Sequence, residues 1–378
     1  LTNPTLAALE EKLATLEGGR GGTVTSSGHA AETLVLFPLM APGMEVIVSN
    51  KLYGGTINLM GKSFRKFGWN AVFVDNDNPE AFRAAVTEKT RAIFVESLAN
   101  PGGVIVDLEA IAKIAQEAEV PLIVDNTMAT PWLCRPFEWG ADLVVHSTTK
   151  FLSGQGNAMG GIVIDSGRFP WFGNAKYPSL SEPSPDYNGL TFAETFGDLA
   201  FTLYSHAVSL RDLGCTQSPM NAWITLNGVE TLPLRMERHV ENAQKVAGFL
   251  QQHPSVEWVS YAGLSSSPYY QLAQKYLQGK AGSVFTFGIR GGYESGLRLL
   301  EKVELFSHVS NIGDSRSLIL HPASTTHRQL SDEQRLTAGA GPEVIRLSVG
   351  IESAEDLIAD LEHCLLYTSP SPRDSGQS

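Results

Sequence analysis

Cysteine is scarce in this 378-residue chain, which contains only Cys134, Cys215 and Cys364. An odd number of cysteines spaced so widely forms neither a disulfide framework nor a zinc knuckle. The nine histidines include no His-x-x-x-His pair and no Cys/His cluster, so we expect no catalytic metal. The sparing use of cysteine favours a reducing compartment and predicts a cytoplasmic protein.

Basic residues are also in deficit, because 28 Lys and Arg face 40 Asp and Glu and leave a net charge of −12. This surplus of acid argues against a nucleic-acid backbone or an anionic membrane surface as the main partner. No stretch approaches about 18 consecutive apolar residues, so we expect no segment that crosses a bilayer. At roughly 150 residues per domain, the length predicts two or three domains, or one large body with an appendage.

Strand and helix patterns alternate over the first 150 residues. Predicted strands lie at residues 23–26, 45–49, 71–74, 92–96, 122–125 and 143–147, and predicted helices at 6–16, 30–36, 57–67 and 108–118. Such alternation gives a mainly parallel sheet that helices cover on both faces. We therefore predict an α/β fold that binds its ligands at the carboxyl ends of the strands.

The remainder of the chain does not continue the regular alternation of strands and helices. Residues 166–193 are rich in aromatics and prolines, and a loop of this length is usually functional or packed on a neighbour. Residues 229–250 predict one long helix, and the short strand and helix patterns after it predict a smaller α+β domain. The predicted domains are thus residues 1–228 and 229–366, and we interpret the Ser/Pro/Gly-rich residues 367–378 as a disordered tail foreign to the fold.

Chemically active side chains cluster at three predicted strand ends. Asp125 ends one apolar strand, another is followed by Ser147, Thr149 and Lys150, and residues 27–29 (SGH) lead a third strand into a helix. A helix N-terminus with nearby hydroxyls suits a phosphate. A lysine that carries the cofactor covalently and an acid that keeps its ring nitrogen protonated are what pyridoxal phosphate (PLP) requires. The alternative is a buried Asp125–Lys150 ion pair with serines as helix caps, but the joint occurrence at strand ends favours the cofactor.

Several motifs resemble one known family along nearly the whole chain, from residue 3 to about residue 362. They are residues 144–151 (VVHSTTKF), 125–127 (DNT) with 129–131 (ATP), 52–56 (LYGGT), 100–101 (NP) and 346–350 (RLSVG). The first resembles the lysine motif of the Cys/Met-metabolism family of PLP enzymes, which includes cystathionine synthases and lyases, methionine γ-lyases and O-acetylhomoserine sulfhydrylases. The resemblance implies the aspartate-aminotransferase type of fold and a homotetramer of dimers that share active sites.

The resemblance also implies roles for individual residues. The expected catalytic residues are Lys150, Tyr53 and Asp125, with Tyr53 stacked on the cofactor ring. Arg346 is expected to grip the substrate carboxylate, with Asn311 as a second substrate-binding residue. The expected cofactor-binding residues are Ser27, Gly28, His29, Tyr53, Asn100, Asp125, Ser147, Thr149 and Lys150.

Within the family, the sulfhydrylases that act on O-acetylhomoserine are the most similar group. Gly55 stands where γ-lyases carry a cysteine, and residues 166–193, 232–236 and 321–327 also resemble the sulfhydrylases. The implied reaction, in methionine biosynthesis, converts O-acetylhomoserine and sulfide, or methanethiol, into homocysteine, or methionine, and acetate. We expect Gly55 to leave room for a small nucleophile. The alternatives are a γ-lyase, a cystathionine γ-synthase, or a protein of this fold without turnover.

Two departures from the family pattern stand out. Gln155 occupies a position where the family commonly has histidine. The family also carries a Tyr-x-Arg element just before the segment seen here at residues 3–5 (NPT), and that pair grips the phosphate of the neighbouring subunit. The resemblance implies that the chain is truncated at its N-terminus.

Overall fold

The computed structural model describes residues 3–99, 103–326, 328, 331, 333, 336 and 339–366, so the predicted tail at 367–378 and Asn100 lie outside the described residues. The chain divides into two compact units. The first comprises residues 1–99, 105–153 and 157–230, and the second comprises residues 100–104, 154–156 and 231–378. Among the described residues, no helix combines the length and apolarity needed to span a membrane.

The first unit is built on a seven-stranded sheet. Its strands are β1 (Gly21–Thr25), β2 (Glu45–Ser49), β3 (Asn70–Val74), β4 (Thr90–Glu96), β7 (Leu122–Asp125), β8 (Leu143–Ser147) and β9 (Gly161–Asp165); the short β5 (Leu98–Ala99) and β6 (Val104–Ile105) lie outside it. The order across the sheet is β1-β9-β8-β7-β4-β2-β3. Only β9 runs antiparallel to its neighbours, which confirms the predicted α/β fold class.

Eleven α-helices belong to the described part of this unit. They are α1 (Pro4–Glu17), α2 (Gly28–Leu36), α3 (Gly54–Asn58), α4 (Pro79–Ala85), α5 (Leu108–Glu117), α6 (Thr130–Leu133), α7 (Pro178–Ser181), α8 (Phe192–Phe196), α9 (Ala200–Tyr204), α10 (Arg211–Leu213) and α11 (Pro219–Glu230). The middle of β2, residues 46–48, is apolar and buried, as expected of a strand that helices cover on both faces.

Local sequence explains where α1 begins and ends. The Asn3 side chain caps it by accepting hydrogen bonds from the backbone N–H groups of Thr5 and Leu6, at 3.0 and 3.2 Å. Gly18 ends it with a φ of 77°, a left-handed conformation that favours glycine. The predicted helix at 57–67 is divided, because α3 continues into a π-helical turn at Leu59–Ser63 and a 3₁₀ turn at Phe64–Phe67.

The aromatic segment at residues 166–193 packs into the core of its own unit. The Trp171 ring lies 4.4 Å from Phe169 and 5.5 Å from Phe201 between centroids. Tyr177 is fully buried, and its hydroxyl donates to the carbonyl oxygen of Arg91 at 2.8 Å. The prolines interrupt regular secondary structure, and the aromatic side chains anchor the segment by packing against its neighbours. The segment is therefore an ordered part of this unit.

The second unit contains a five-stranded mixed sheet. Its strands are β10 (Val256–Ser260), β11 (Val284–Ile289), β12 (Ser307–His308), β13 (Leu318–Leu320) and β14 (Val344–Ser348), and its described α-helices are α12 (Leu232–Gln252), α13 (Tyr270–Tyr276), α14 (Gly292–Lys302) and α15 (Ala354–Leu366). The strand order is β10-β11-β14-β13-β12.

One predicted element of this region is wrong. The helix predicted at 229–250 is interrupted at Thr231, which separates α11 from α12. Pro233 explains the interruption, because proline lacks an N–H and is tolerated only in the first turn of a helix. The position of Pro233 at the second residue of α12 therefore marks a helix start.

Candidate active site

Four strand ends meet at one edge of the seven-stranded sheet. Asp125 pairs in register with Glu96 of β4 and with Val145 of β8. The predicted third stretch belongs to β1, which is separated from β8 by β9 rather than adjacent to it. The ends still meet, because Gly161 of β9 pairs with both Thr25 and Ser147.

Asp125 is the partly buried acid of this edge. Its Oδ1 accepts hydrogen bonds from the backbone N–H and the hydroxyl of Thr127, at 2.9 and 2.5 Å. Both bonds use Oδ1, which leaves Oδ2 without a hydrogen-bond partner among the described residues. Burial raises the pKa of Asp125, and the Thr127 hydrogen bonds and the nearby His146 and His29 oppose that rise. A cationic N–H donor at Oδ2 would relieve the cost of this buried charge.

The lysine motif forms a turn directly after β8. The backbone N–H of Lys150 donates to the carbonyl oxygen of Ser147 at 3.3 Å, and the backbone N–H of Ser147 donates to the Thr127 hydroxyl at 2.9 Å. Thr127 thereby connects the Asp125 strand end to the Lys150 turn. Thr149 is engaged with Gly160, since its hydroxyl donates to the Gly160 carbonyl at 3.2 Å and accepts from its N–H at 3.1 Å.

The N-terminus of α2 lies against this turn. Ser27 caps the helix by accepting from the backbone N–H of Ala30 at 3.1 Å, as the capping interpretation predicts. A Cβ atom on Gly28 would lie 2.8 Å from the Cβ of Ser147, so only glycine allows this close approach. The backbone N–H groups of the first helical turn and the Ser147 hydroxyl, which has no hydrogen-bond partner among the described residues, form a cradle suited to phosphate.

Tyr53 is held at the same edge by a residue that the sequence analysis missed. The Glu96 carboxylate accepts from the backbone N–H of Tyr53 at 2.6 Å. The Tyr53 ring is half exposed and lies 6.0 Å from the His29 ring between centroids. Burial lowers the pKa of His29, although Asp125 acts to raise it, so a neutral imidazole faces the tyrosine at neutral pH.

The expectation that Gly55 leaves room for a nucleophile is wrong. A Cβ atom on Gly55 would collide with Cε1 of Tyr53 and would lie 2.8 Å from Nε2 of His29. The two rings fill the space beside the glycine. Gly55 is thus required for the packing of Tyr53 against His29.

Glu32 is a second unforeseen residue of this region. It is 3% exposed, and its Oε1 accepts from the Thr56 hydroxyl at 2.6 Å, which ties α2 to the helix that follows Tyr53. Burial, with a contribution from Asp125, raises the pKa of Glu32 to about 8. Glu32 is therefore mostly neutral at pH 7. The sequence offered one signal for Glu32: it lies three residues after His29 in the same helix, and residues at that spacing share a helix face.

The predicted substrate-binding residues lie in the second unit. The Arg346 Nη2 donates to the backbone carbonyl oxygens of Ser310 and Asn311, at 3.2 and 3.3 Å. The structure thus brings Arg346 and Asn311 together. Among the described residues, no three His, Cys, Asp or Glu side chains gather as a metal site would require.

The geometry fits pyridoxal phosphate on two grounds, the open Oδ2 of the partly buried Asp125 and the phosphate cradle that a Gly28 side chain would fill. Comparison with known proteins agrees. The model of the Cys/Met metabolism PLP-dependent enzyme family matches residues 1–366, and the chain belongs to that family. It is a PLP-dependent enzyme.

Two curated relatives with high sequence identity have the same printed activity. The chain is 49% identical over 374 residues to an O-acetyl-L-homoserine sulfhydrylase from Leptospira meyeri, which covers 97% of this chain and 84% of the relative. It is 48% identical over 367 residues to O-acetyl-L-homoserine sulfhydrylase 1 from Thermus thermophilus, covering 97% of this chain and 87% of the relative.

A solved structure shares the fold. A crystal structure from Campylobacter jejuni, provisionally assigned as an O-acetylhomoserine (thiol)-lyase, superposes with a TM-score of 0.93 at 41% identity and covers 97% of this chain and 87% of that chain. It contains N'-pyridoxyl-lysine-5'-monophosphate.

Proposed function

We propose that this protein catalyses a γ-replacement in methionine biosynthesis. O-acetyl-L-homoserine and sulfide give L-homocysteine and acetate, and methanethiol in place of sulfide gives L-methionine. The observation that carries this proposal is the 48–49% identity over 97% of the chain to two O-acetyl-L-homoserine sulfhydrylases.

We propose one group of residues to bind each part of the cofactor. Lys150 would hold it covalently, and Oδ2 of Asp125 would accept the ring N–H. The Ser147 hydroxyl and the backbone N–H groups that begin at Gly28 would receive the phosphate. Bound pyridoxal phosphate supplies an electron sink for the substrate carbons next to the amino group.

The substrate carboxylate is assigned to Arg346. Two backbone carbonyls already orient this guanidinium, which lowers the entropy lost when it binds a carboxylate through two parallel hydrogen bonds. Asn311 and Asn100 remain assigned by resemblance, to the substrate and to the cofactor oxygen respectively.

Lys150 is assigned the proton transfers. Its amine takes the proton from the α-carbon of the substrate and moves protons at the β-carbon, which together allow acetate to leave the γ-carbon and sulfide to take its place. Positioned proton transfer of this kind contributes about 10²–10⁴-fold. Tyr53, fixed by Glu96 and packed against His29, would stack on the cofactor ring and serve as a second proton carrier.

A homotetramer of dimers with shared active sites is proposed as the working assembly. Met159, Met220 and Trp223 are more than half exposed, and Asn221 joins them because its side chain donates to the Met159 carbonyl at 2.9 Å. An exposed apolar patch of this kind supports self-association. We further propose residues 1–228 and 229–366 as the two domains.

A cytoplasmic location is proposed from the state of the cysteines. All three are free thiols, and Cys134 and Cys364 are buried. Unpaired thiols persist in a reducing compartment.

Replacement of the lysine tests the proposed function directly. Lys150→Ala should abolish homocysteine formation from O-acetylhomoserine and sulfide, and should remove the visible absorbance of the lysine-bound cofactor. Lys113→Ala, which removes an exposed lysine from α5, is the matched control and should retain both. Product formation at a comparable rate by Lys150→Ala would overturn the assignment.

A further inference from the structure

Four buried polar side chains form a network behind the sheet edge that carries the site. We call Glu17, Ser97, Asn126 and His146 the Glu17–His146 network. The Asn126 amide donates to Glu17 Oε1 at 2.8 Å, and His146 Nε2 lies 2.5 Å from the same oxygen. The Ser97 hydroxyl donates to Asn126 Oδ1 at 2.7 Å. Each of the four is at most 1% exposed.

Three members of the network are sequence neighbours of site residues. Ser97 follows Glu96, Asn126 follows Asp125, and His146 precedes Ser147. Successive side chains of a strand point to opposite faces, so the network lies behind the residues that form the site. It joins the ends of three adjacent strands that hold Tyr53, the cofactor acid and the phosphate cradle.

The network places an acid beside a base in the interior. The Glu17 carboxyl group has no solvent contact, and His146 is the only base in contact with it among the described residues. The pair leaves Glu17 Oε2 and His146 Nδ1 buried without hydrogen-bond partners in the part of the chain that the structure describes. Stability does not explain such a pair, because hydrophobic residues of similar volume are often at least as stabilising.

The charge of this network acts on the cofactor acid. His146 lowers the pKa of Asp125, in opposition to the rise that burial causes. Oδ2 of Asp125 can hold a protonated ring nitrogen only while the carboxylate is ionised. A cation behind the strand end therefore favours the state that the chemistry needs.

We propose that the Glu17–His146 network is a positioning device that fixes Asp125 from behind and, through the His146 ring, favours the ionised state of its carboxylate opposite the cofactor ring nitrogen. This inference rests on the assignment of Asp125 in the proposed function. Glu17 and His146 do not touch the cofactor and act through Asp125 and its strand.

Cofactor labelled with ¹⁵N at the ring nitrogen tests the proposal by a readout other than activity. The nitrogen chemical shift reports whether the ring nitrogen is protonated, which a merely structural role would not change. Glu17→Gln keeps an acceptor for Asn126 and His146 but removes the charge. In the holoenzyme it should move the shift toward that of an unprotonated ring, and should weaken pyridoxal phosphate binding about tenfold, the equivalent of one pKa unit.

The matched control lies on the same helix. Glu10 pairs with His206 at 3.3 Å and accepts from the backbone N–H of Val24 at 3.0 Å, so Glu10→Gln removes a comparable charge away from Asp125. It should leave the nitrogen shift and the dissociation constant at wild-type values. His146→Gln removes the charge from the other partner and should reproduce the effect of Glu17→Gln.

The remaining outcomes separate the two hypotheses. An unchanged nitrogen shift in folded Glu17→Gln or His146→Gln would overturn the network proposal, and so would loss of folding in both, which would assign the network to stability. Asp125→Asn should move the shift whatever the network does. If Asp125→Asn leaves it unchanged, the assignment of Asp125 fails first.

Discussion

Gly55 shows how a single residue type can be correctly singled out for the wrong reason. Its resemblance to the sulfhydrylase pattern is genuine, but the absent side chain does not open a cavity, since Tyr53 and His29 occupy that space. What glycine provides is the close approach of these two rings to the backbone of α3. The observed position of Tyr53, the residue proposed to stack on the cofactor, depends on that approach.

The close packing of Tyr53 and His29 around Gly55 can be tested by substitution, with the adjacent Gly54 as the control. Gly55→Ala places a Cβ against Cε1 of Tyr53, and overpacking of this kind costs about 1–3 kcal/mol. The dissociation constant for pyridoxal phosphate, measured by absorbance titration, should therefore rise about tenfold or more. Gly54→Ala, where a Cβ meets nothing within 4 Å, should remain within about twofold of wild type. Equal effects of the two variants would refute the packing argument.

At the scale of single elements, the opposite end of the sheet contains a buried acid that catalysis does not use. Asp165, the last residue of β9, is 2% exposed, and its Oδ2 has no hydrogen-bond partner among the described residues. Burial raises the pKa of Asp165 to about 7, with the neighbouring Asp142 adding to the rise. Ionisation of this group thus opposes folding.

The stability of the fold should consequently fall as pH rises from about 4 to about 7. A folded-state pKa above the unfolded one means that the folded protein retains the proton, so the cost is absent below pH 4 and complete above pH 7. Asp165→Asn should increase the free energy of unfolding at pH 8 by about 2–4 kcal/mol and have little effect at pH 4. Denaturant titrations at both pH values measure this.

The exposed Asp212, paired with Arg211, offers the control for that measurement. Asp212→Asn should change the free energy of unfolding by less than about 1 kcal/mol at either pH. A destabilised Asp165→Asn at pH 8 would contradict the burial argument.

Sequence patterns predicted the elements of the sheet well, because parallel strands covered on both faces appear as apolar runs. The strands at 45–49, 122–125 and 143–147 match residue for residue, and they place Asp125 and Ser147 at strand ends. The division of the long helix at Thr231 was missed although Pro233 signals it. Because proline is tolerated only in the first turn of a helix, a proline within a predicted helix indicates that a new helix begins just before it.

Contacts between distant elements could not be predicted from the sequence. Glu96 and Tyr53 are 43 residues apart, and Glu17 and His146 are 129 apart. Their meeting depends on the order of strands in the sheet and on the face that α1 covers, neither of which a local pattern encodes. The residues that support the candidate site were therefore missed, whereas Asp125, Ser147 and Lys150 stood out because they follow apolar strands in motifs.

At the scale of the whole molecule, the apolar patch around Trp223 predicts the response of the assembly. Trp223→Arg places a charge among Met159, Met220 and Asn221, and should shift the tetramer toward smaller species in sedimentation-velocity experiments at micromolar concentration. The physical reason is the cost of burying an unpaired charge in an apolar interface. Phe172→Arg changes a side chain that is also more than half exposed, on the separate aromatic segment, and should leave the proposed tetramer intact. A monomeric wild-type protein, or a tetramer unaffected by Trp223→Arg, would refute this assignment.

The choice between γ-replacement and γ-elimination tests the account most directly. The roles proposed for Lys150, Asp125 and Tyr53 are the same in both reactions, so only the products separate a sulfhydrylase from a lyase. The measurement is the rate of homocysteine formation from O-acetylhomoserine and sulfide against the rate of 2-oxobutyrate formation from methionine, on one preparation of holoenzyme. We expect homocysteine formation to be greatly in excess. Faster breakdown of methionine would contradict the proposed function.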